Sequence, residues 1–493
     1  MNGEKTDEKN LVTALGVVMI LCMVACGNEQ GTIAEGVENV SVETEVIGAE
    51  KSESPVEEET ETIGAPTEAE PEEEIEEKEK VDVPGFDTSY DIEETVLVDE
   101  NDVKITVTGL NYTDYAVEVN LLLENNSDKN LSVYTGSIGY SPNAVNGYML
   151  GGYMNAEVAA GKKTNETISY SMKELAVYGI TQIADLQLGF EIKDEDYEGF
   201  KTEPKQVKTA AADSYDYSVN TYAESVKGGI AESIFDYEVN YFAEDVLYEQ
   251  NGVSVISQAL MTNADGEQAV FLEVVNNSEE TVYVAGSNIS LNGLIVSGRN
   301  RIVEMVCPGM RKIIQLSVDS MIDAEYLELL GISEIGNMTV NLELKDTDLN
   351  VTTDAQEMTV VFSESVPMFK VEGTEVFNSD GIRVVSKGIV EDPDEYADYV
   401  NILLLVENTT DERVRFNVAY NSLSVNGFMM DEVSDPMEVL SGKAAFFDVW
   451  IKEEELEDNG IAAIEDITEA EFGIEVRNDD YDMVAESIVK IGY

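Results

Sequence analysis

From Val96 to its end, the chain says the same thing three times. Three first-strand signals occur at Val103-Lys-Ile105, Val253-Ser-Val255 and Ile382-Arg-Val384. Each is followed by an apolar run that closes on a turn: Leu121-Leu-Leu123-Glu-Asn125-Asn-Ser-Asp128, Leu272-Glu-Val274-Val-Asn276-Asn-Ser-Glu279 and Leu404-Leu-Val406-Glu-Asn408-Thr-Thr-Asp411. An Asn-Gly pair comes next in each copy (Asn146-Gly147, Asn292-Gly293, Asn426-Gly427), then Gly161, Gly309 and Gly442. A Gly-Ile pair at Gly179, Gly331 and Gly460 precedes Lys193-Asp-Glu-Asp196, Lys345-Asp-Thr-Asp348 and Arg477-Asn-Asp-Asp480. Landmarks in one order at near-constant spacing mark one structural unit used repeatedly.

The unit reads as β structure. Val119, Leu121 and Leu123 alternate with Glu118, Asn120 and Leu122, as a strand with one buried face requires. Val270, Leu272 and Val274, and Ile402, Leu404 and Val406, repeat that parity. Asn-Gly between apolar runs predicts a type I′ hairpin, because both central residues need positive φ. One short helix per copy is expected at 171–178, 322–330 and 452–458, closed by the glycine of Gly-Ile. The fold class expected is mainly β: three tandem antiparallel immunoglobulin-like β-sandwiches, each with a short helix, after a disordered acidic N-terminal linker. The boundaries fall at 1–25, 26–95, 96–212, 213–243, 244–364 and 365–493. The inter-domain segment 213–243 is rich in aromatics (Tyr215, Tyr217, Tyr222, Phe235, Tyr237, Tyr241, Phe242). It is read as a linker packed against both domains, or as an aromatic surface for a partner.

The N-terminus reads as an address. Leu11 to Ala25 is an apolar run too short for a comfortable bilayer span and matches the hydrophobic region of a signal peptide. It ends Met23-Val24-Ala25-Cys26-Gly27-Asn28, which resembles the lipobox of bacterial lipoproteins. That resemblance implies cleavage before Cys26 and a diacylglycerol on its thiol, giving an anchor on the extracellular face of the cell membrane. The preceding segment holds Lys5 and Lys9 but also Glu4, Asp7 and Glu8, so an uncleaved anchor is the alternative. Residues 27–95 carry 24 acidic and 3 basic side chains and lack aromatic residues before Phe86. Such a segment buries too little apolar surface to offset its ordering entropy and is expected to be an extended tether.

The strand-Asn-Asn-Ser-Asp elements and the later Gly-Lys turns (Gly161-Lys162, Gly442-Lys443) resemble immunoglobulin-like domains of Gram-positive (clostridial-type) surface lipoproteins, of the DUF4352 type or related domains of unknown function. The second copy departs, with Gly309-Met310. Those families have no agreed activity, so the resemblance brings no catalytic residue with it.

Composition excludes several chemistries. The chain has 100 Asp+Glu against 29 Lys+Arg, a net charge of −71, and so repels nucleic-acid phosphates. It has no histidine, which rules out Ser-His-Asp and Cys-His catalysis and His-ligated zinc. Of three cysteines, Cys22 and Cys26 fall in the address, leaving Cys307 opposite Ala159 and Leu440 of the other copies, an ordinary small apolar position. The acidic clusters Asp194, Asp196 and Glu198, Asp346 and Asp348, Asp479, Asp480 and Asp482, and Asp392, Asp394 and Glu395 are read as solvated loops, with Ca²⁺ as the cation they would take if one bound. No cofactor, and no catalytic residue, is expected.

Trp450 is the single tryptophan. With Val449 and Ile451 on the buried face of their strand, Trp450, Phe446 and Asp448 point the other way. Trp450 and Phe446 are therefore the candidate ligand-binding pair, unless a helix or a neighbouring domain covers them. The function expected is a lipid-anchored, non-catalytic binding or display module for an envelope protein or glycan. An accessory or sensor-like subunit of a membrane complex, or a carboxylate-dependent hydrolase, are the alternatives.

Overall fold

A computed structural model describes residues 84–137, 140–297, 302–393 and 397–492. Cys26, the apolar run before it, and most of the acidic tether lie outside the described residues. In the first repeat, Thr95–Glu100, Val103–Tyr112, Ala116–Asn125 and Lys163–Ser171 form one antiparallel sheet in that order. The alternation read from the sequence sets its inner face, where Val119, Leu121 and Leu123 are buried. The facing sheet is built from two short halves. Leu131–Tyr134 lies between Asn155–Val158 and Glu191–Asp194, and Ala144–Val145 pairs with Asp185–Leu188.

The other two repeats use the same two sheets. Val253–Thr262, Gln268–Asn276 and Arg311–Ser317 face Val282–Leu291, Ile302–Val306, Asn337–Lys345 and Gln356–Val361. In the third, Thr374–Ser379, Ile382–Glu391, Tyr399–Asn408 and Ala444–Lys452 face Val414–Val418, Met437–Val439, Glu469–Arg477 and Met483–Gly492. The protein is thus mainly β, a series of antiparallel sandwiches.

The short helices are Met172–Val177, Ala324–Leu330 and Glu453–Asp458. Each ends at the glycine of Gly-Ile in the left-handed region (Gly179, Gly331, Gly460). The following isoleucine amide then donates back to Leu175, Leu327 or Leu456, and its side chain is buried. This six-to-one closure with its apolar contact explains why Gly-Ile recurs.

Two asparagines per repeat tie the sandwich together. Asn125, Asn276 and Asn408 end the third strand and are fully buried. The Nδ2 of Asn408 donates to the carbonyls of Glu412 (2.8 Å) and Val439 (2.9 Å), and Val439 belongs to the opposite sheet. Asn125 makes the same pair with Lys129 and Val158, and Asn276 with Glu280 and Val306. Each Oδ1 accepts from the backbone amide and hydroxyl of the residue two further on, Ser127, Ser278 or Thr410. The Asn-x-Ser/Thr spelling therefore encodes a link between sheets as well as a turn.

The second asparagine is that of Asn-Gly. Asn146, Asn292 and Asn426 have φ of 49°, 50° and 51°, as a type I′ turn demands. Their Nδ2 groups donate to Gln182, Glu334 and Asp466, and each Oδ1 accepts from two consecutive amides before the next strand. The hairpin is thereby held rigidly against the sandwich.

The sheets do not stop at the repeat boundaries. Tyr148, just after Gly147, pairs in parallel with Arg311 of the second repeat. Leu294 and Ile295, just after Gly293, pair in parallel with Ala444 and Ala445 of the third. Each repeat has its own buried cluster, but the clusters touch. Met149 and Ala144 of the first repeat, and Leu403, Leu405 and Phe446 of the third, belong to the core centred on the second.

Segment 213–243 is structured. Thr221–Lys227 and Ile230–Phe235 are helices, and Glu238–Ala243 pairs with Val253–Thr262. The second repeat's first sheet thus begins before residue 244, and of those aromatics Tyr241 and Phe242 lie in its strand.

Replacing Asn408 with Ala or Asp leaves buried carbonyls without a donor, and Asp adds a buried charge. Either substitution is expected to lower the unfolding free energy by about 2–4 kcal/mol, measured by urea titration. A loss below ~0.5 kcal/mol would remove the bridging role.

Candidate functional site at the joints between repeats

Strand Ala444–Lys452 has the expected parity. Val449 and Ile451 are buried in the third repeat's own core, and Phe446, Asp448 and Trp450 face the other way. That face is not open at Phe446. The side chain is 6% exposed, and its ring lies 5.6 Å from that of Tyr326 on helix Ala324–Leu330 of the second repeat. The pairing of Ile295 with Ala445 brings the second repeat alongside and covers it. Phe446 faces outward from its own repeat as expected, and the neighbouring repeat covers it, the alternative left open for this pair. Trp450 stays at the rim, half-buried. Its Nε1 donates to Asp448 Oδ2 at 2.7 Å, and its ring lies 6.4 Å from Tyr399.

Asn401 sits opposite Trp450 in the sheet and is fully buried. Its Nδ2 donates to the Tyr326 hydroxyl (2.5 Å) and to Asp392 Oδ2 (2.7 Å), while its Oδ1 has no hydrogen-bond partner. Burial, then repulsion from Asp435 and Asp392, pushes the Asp448 carboxyl up despite the Trp450 bond. Burial, then Asp392 and Glu325, does the same to Asp323. The partly buried Asp448 thus stands beside the Trp450 ring, while Asp323 stays exposed at the edge of the joint. Among the described residues, no group of three or more acidic or thiol side chains converges closely enough to hold a metal ion.

The first joint solves the same problem with a neutralised pair. Glu273 is fully buried and accepts from Arg311 (3.1 Å), Asn220 (2.7 Å) and Ser257 (2.6 Å). The Arg311 guanidinium lies 5.8 Å from the Tyr148 ring centre. Tyr222 is buried there, 5.9 Å from Tyr178, and the Tyr217 hydroxyl donates to Asp185. Tyr222 of 213–243 is thus spent inside this joint, while Tyr217 keeps 43% of its surface exposed. Nearby, burial pushes the Glu174 carboxyl up to about 7.

The remaining candidates resolve into structure. Cys307 is buried, its amide donates to Met149 Sδ at 3.2 Å, and burial pushes its thiol up, away from the reactive thiolate. Asp194, Asp346 and Asn478 each accept the amides two and four residues further on, capping one tight turn in all three copies. Their acidic neighbours Asp196, Asp348 and Asp480 are exposed. Asp394 and Glu395 lie outside the described residues. The joints were missed in the sequence because a one- or two-residue parallel contact leaves no periodic trace. The recurring Asn-Gly followed by large apolar residues was the only signal.

No protein-family model matches the chain, nor does any curated protein. A protein of unknown function from Porphyromonas gingivalis W83 overlays 46% of the chain and 91% of its own at 14% identity, with a TM-score of 0.14. A Bacteroides uniformis β-glucuronidase overlays 51% of the chain at 10% identity and a TM-score of 0.15, and the overlay spans 27% of that enzyme. An exo-chitosanase of Amycolatopsis orientalis overlays 81% of the chain and 78% of its own at 6% identity and a TM-score of 0.17. Overlays this loose carry no functional argument. Among the described residues, no helix is long and apolar enough to cross a membrane.

Two outcomes test the joints. Phe446→Ala should destabilise the protein by about 3 kcal/mol as a core truncation, and Trp450→Ala by less than half as much. Equal losses in thermal or denaturant unfolding would mean that Phe446 is not buried between repeats. For Glu174, the folded carboxyl is raised above its unfolded value, so its contribution is present at low pH and lost as pH rises through about 7. Between pH 6 and pH 8 the unfolding free energy should therefore fall by about 1 kcal/mol on account of this group. Glu174→Gln should remove that component, and an unchanged slope would contradict the assignment.

Proposed function

We propose that the chain is a lipid-anchored surface protein, held at the outer face of the cell membrane through Cys26, and that its β-sandwich array serves in binding or display without catalysis. The observation that carries this reading is the order of parts along one chain. An apolar address ending in Ala25-Cys26-Gly27 is followed by a strongly acidic tether and then by three copies of one sandwich. A reused module fits an extended scaffold better than a single reaction centre. The position of Asp448 is consistent with it, since that partly buried acid accepts from Trp450 on the face that the second repeat partly covers. Binding would fall to surfaces that stay open, such as the rim around Trp450 and Tyr399.

An accessory or sensor-like subunit of a membrane complex is the second reading. It would use what stays open of 213–243, such as Tyr217, 43% exposed, since Tyr222 is buried and the final strand is part of the second repeat's sheet. Cys26→Ala tests the anchor. The variant should pass into the culture medium while the native protein stays with the membrane fraction, and equal membrane retention of both would refute lipidation. A glycan array run beside a hydrolase screen on the released form separates binding from turnover.

A further inference from the structure

The hairpin arm after Asn-Gly is a socket that, among the described residues, is filled twice and left open once. In the first repeat the arm is Tyr148–Met149, with Tyr148 2% exposed beneath Arg311. In the second it is Leu294–Ser297, with Ile295 1% exposed beside Ala445. The equivalent arm of the third repeat is Phe428–Met429, and it ends its sheet. Phe428 is 47% exposed and Met429 62%. Its hairpin has the same left-handed Asn426-Gly427 turn and the same Asn426 bonds to the following segment, so its edge is held ready in the same way.

The complementary half is free at the other end of the array. The strand that fills each socket starts two residues after the conserved-position glycine of its repeat: Arg311 after Gly309, Ala444 after Gly442, and Lys163 after Gly161. In the first repeat that strand, Lys163–Ser171, ends its sheet, and among the described residues only the bridge from Tyr153 to Ser169 lies along its outer edge. Each of these strands opens on basic side chains in a chain that has few: Lys162-Lys163, Arg311-Lys312 and Lys443. In the filled sockets they act across the joint. Arg311 lies over Tyr148, and Lys443 pairs with Glu357 at 3.2 Å. Around the empty socket stand Asp431 and Glu469, both exposed.

We propose that the chain associates head to tail with a second copy of itself, the Phe428–Met429 arm of one copy pairing in parallel with the Lys163–Ser171 strand of the next. By the register of the filled sockets, Phe428 comes opposite Lys163 and Met429 opposite Thr164. Such a contact joins two different surfaces and does not close on itself, so it builds open strings of copies. The contact is weak. The sheet face beside the first-repeat strand carries Thr108, Asn120, Asn165 and Thr167, where the third repeat carries Leu403 and Phe446, so little apolar area is added. The inference does not depend on the anchor.

Disulfide trapping between two copies is the test. It uses the chain from residue 27 onward, which holds the compact unit Val81–Tyr493 and keeps only the buried Cys307 as a native thiol. Chains carrying Met429→Cys are mixed with chains carrying Thr164→Cys and oxidised, with Ile488→Cys plus Thr164→Cys as the control pair. The expected result is mixed dimer several-fold above the control, reduced to the control level when Phe428→Lys is added to the Met429→Cys chain. Sedimentation of the native sequence should show concentration-dependent dimers and longer species, and Phe428→Lys should leave monomer. Mixed dimer no higher than the control, or a monomer at every concentration, overturns the proposal. So does a Met429→Cys homodimer outrunning the mixed species, since that would mean the sockets pair with each other.

Discussion

A single primary amide, placed where one sheet of the sandwich meets the other, holds each repeat in register. Asn125, Asn276 and Asn408 finish a strand of one sheet and donate two hydrogen bonds that reach the other sheet and the loop leading into it. A buried amide satisfied on both its oxygen and its nitrogen is stable in an apolar interior, whereas one left unsatisfied is expensive. The site therefore accepts one side chain: aspartate lacks the donors, and glutamine is a methylene too long. Once the two sheets are fixed, the Asn-Gly hairpin is fixed by its own asparagine, and with it the edge through which the next repeat attaches.

What varies between copies lies mainly at the joints. The residue before the helix leucine that accepts from the Gly-Ile amide is Glu174 in the first repeat, Tyr326 in the second and Glu455 in the third. Tyr326 covers Phe446 and takes a hydrogen bond from Asn401, so it is committed to the joint. The third helix reads Glu453-Glu454-Glu455-Leu456-Glu457-Asp458, with Leu456 as its single buried residue. At the other end, Thr108, Asn165 and Thr167 give the first repeat a polar outer sheet face. On the third repeat, Phe428 and Met429 are exposed apolar side chains.

Much of the fold was legible from residue order. Period-two alternation located the strands around Leu121, Leu272 and Leu404, and the Gly-Ile pairs located the ends of the three helices to within two residues. Both signals are local: a pleat or a helix terminus imposes its spacing on neighbours in sequence. The asparagine links were half legible. Asn-x-Ser/Thr reads as turn chemistry, but the carbonyls it binds lie about 30 residues away, where sequence spacing is silent. Phe446 shows the same limit. Parity gave its direction correctly, yet what stands on that side depends on a two-residue contact with the preceding repeat.

Exchange of the side-chain amide protons of Asn125, Asn276 and Asn408 with solvent, followed by NMR, tests the bridging role most directly. If these amides join the two sheets, all three exchange only through unfolding of their repeat, as slowly as the strand amides around them. Exchange at the rate of a solvated asparagine, with the neighbouring strand amides still protected, would mean that the sheets are held together by something else.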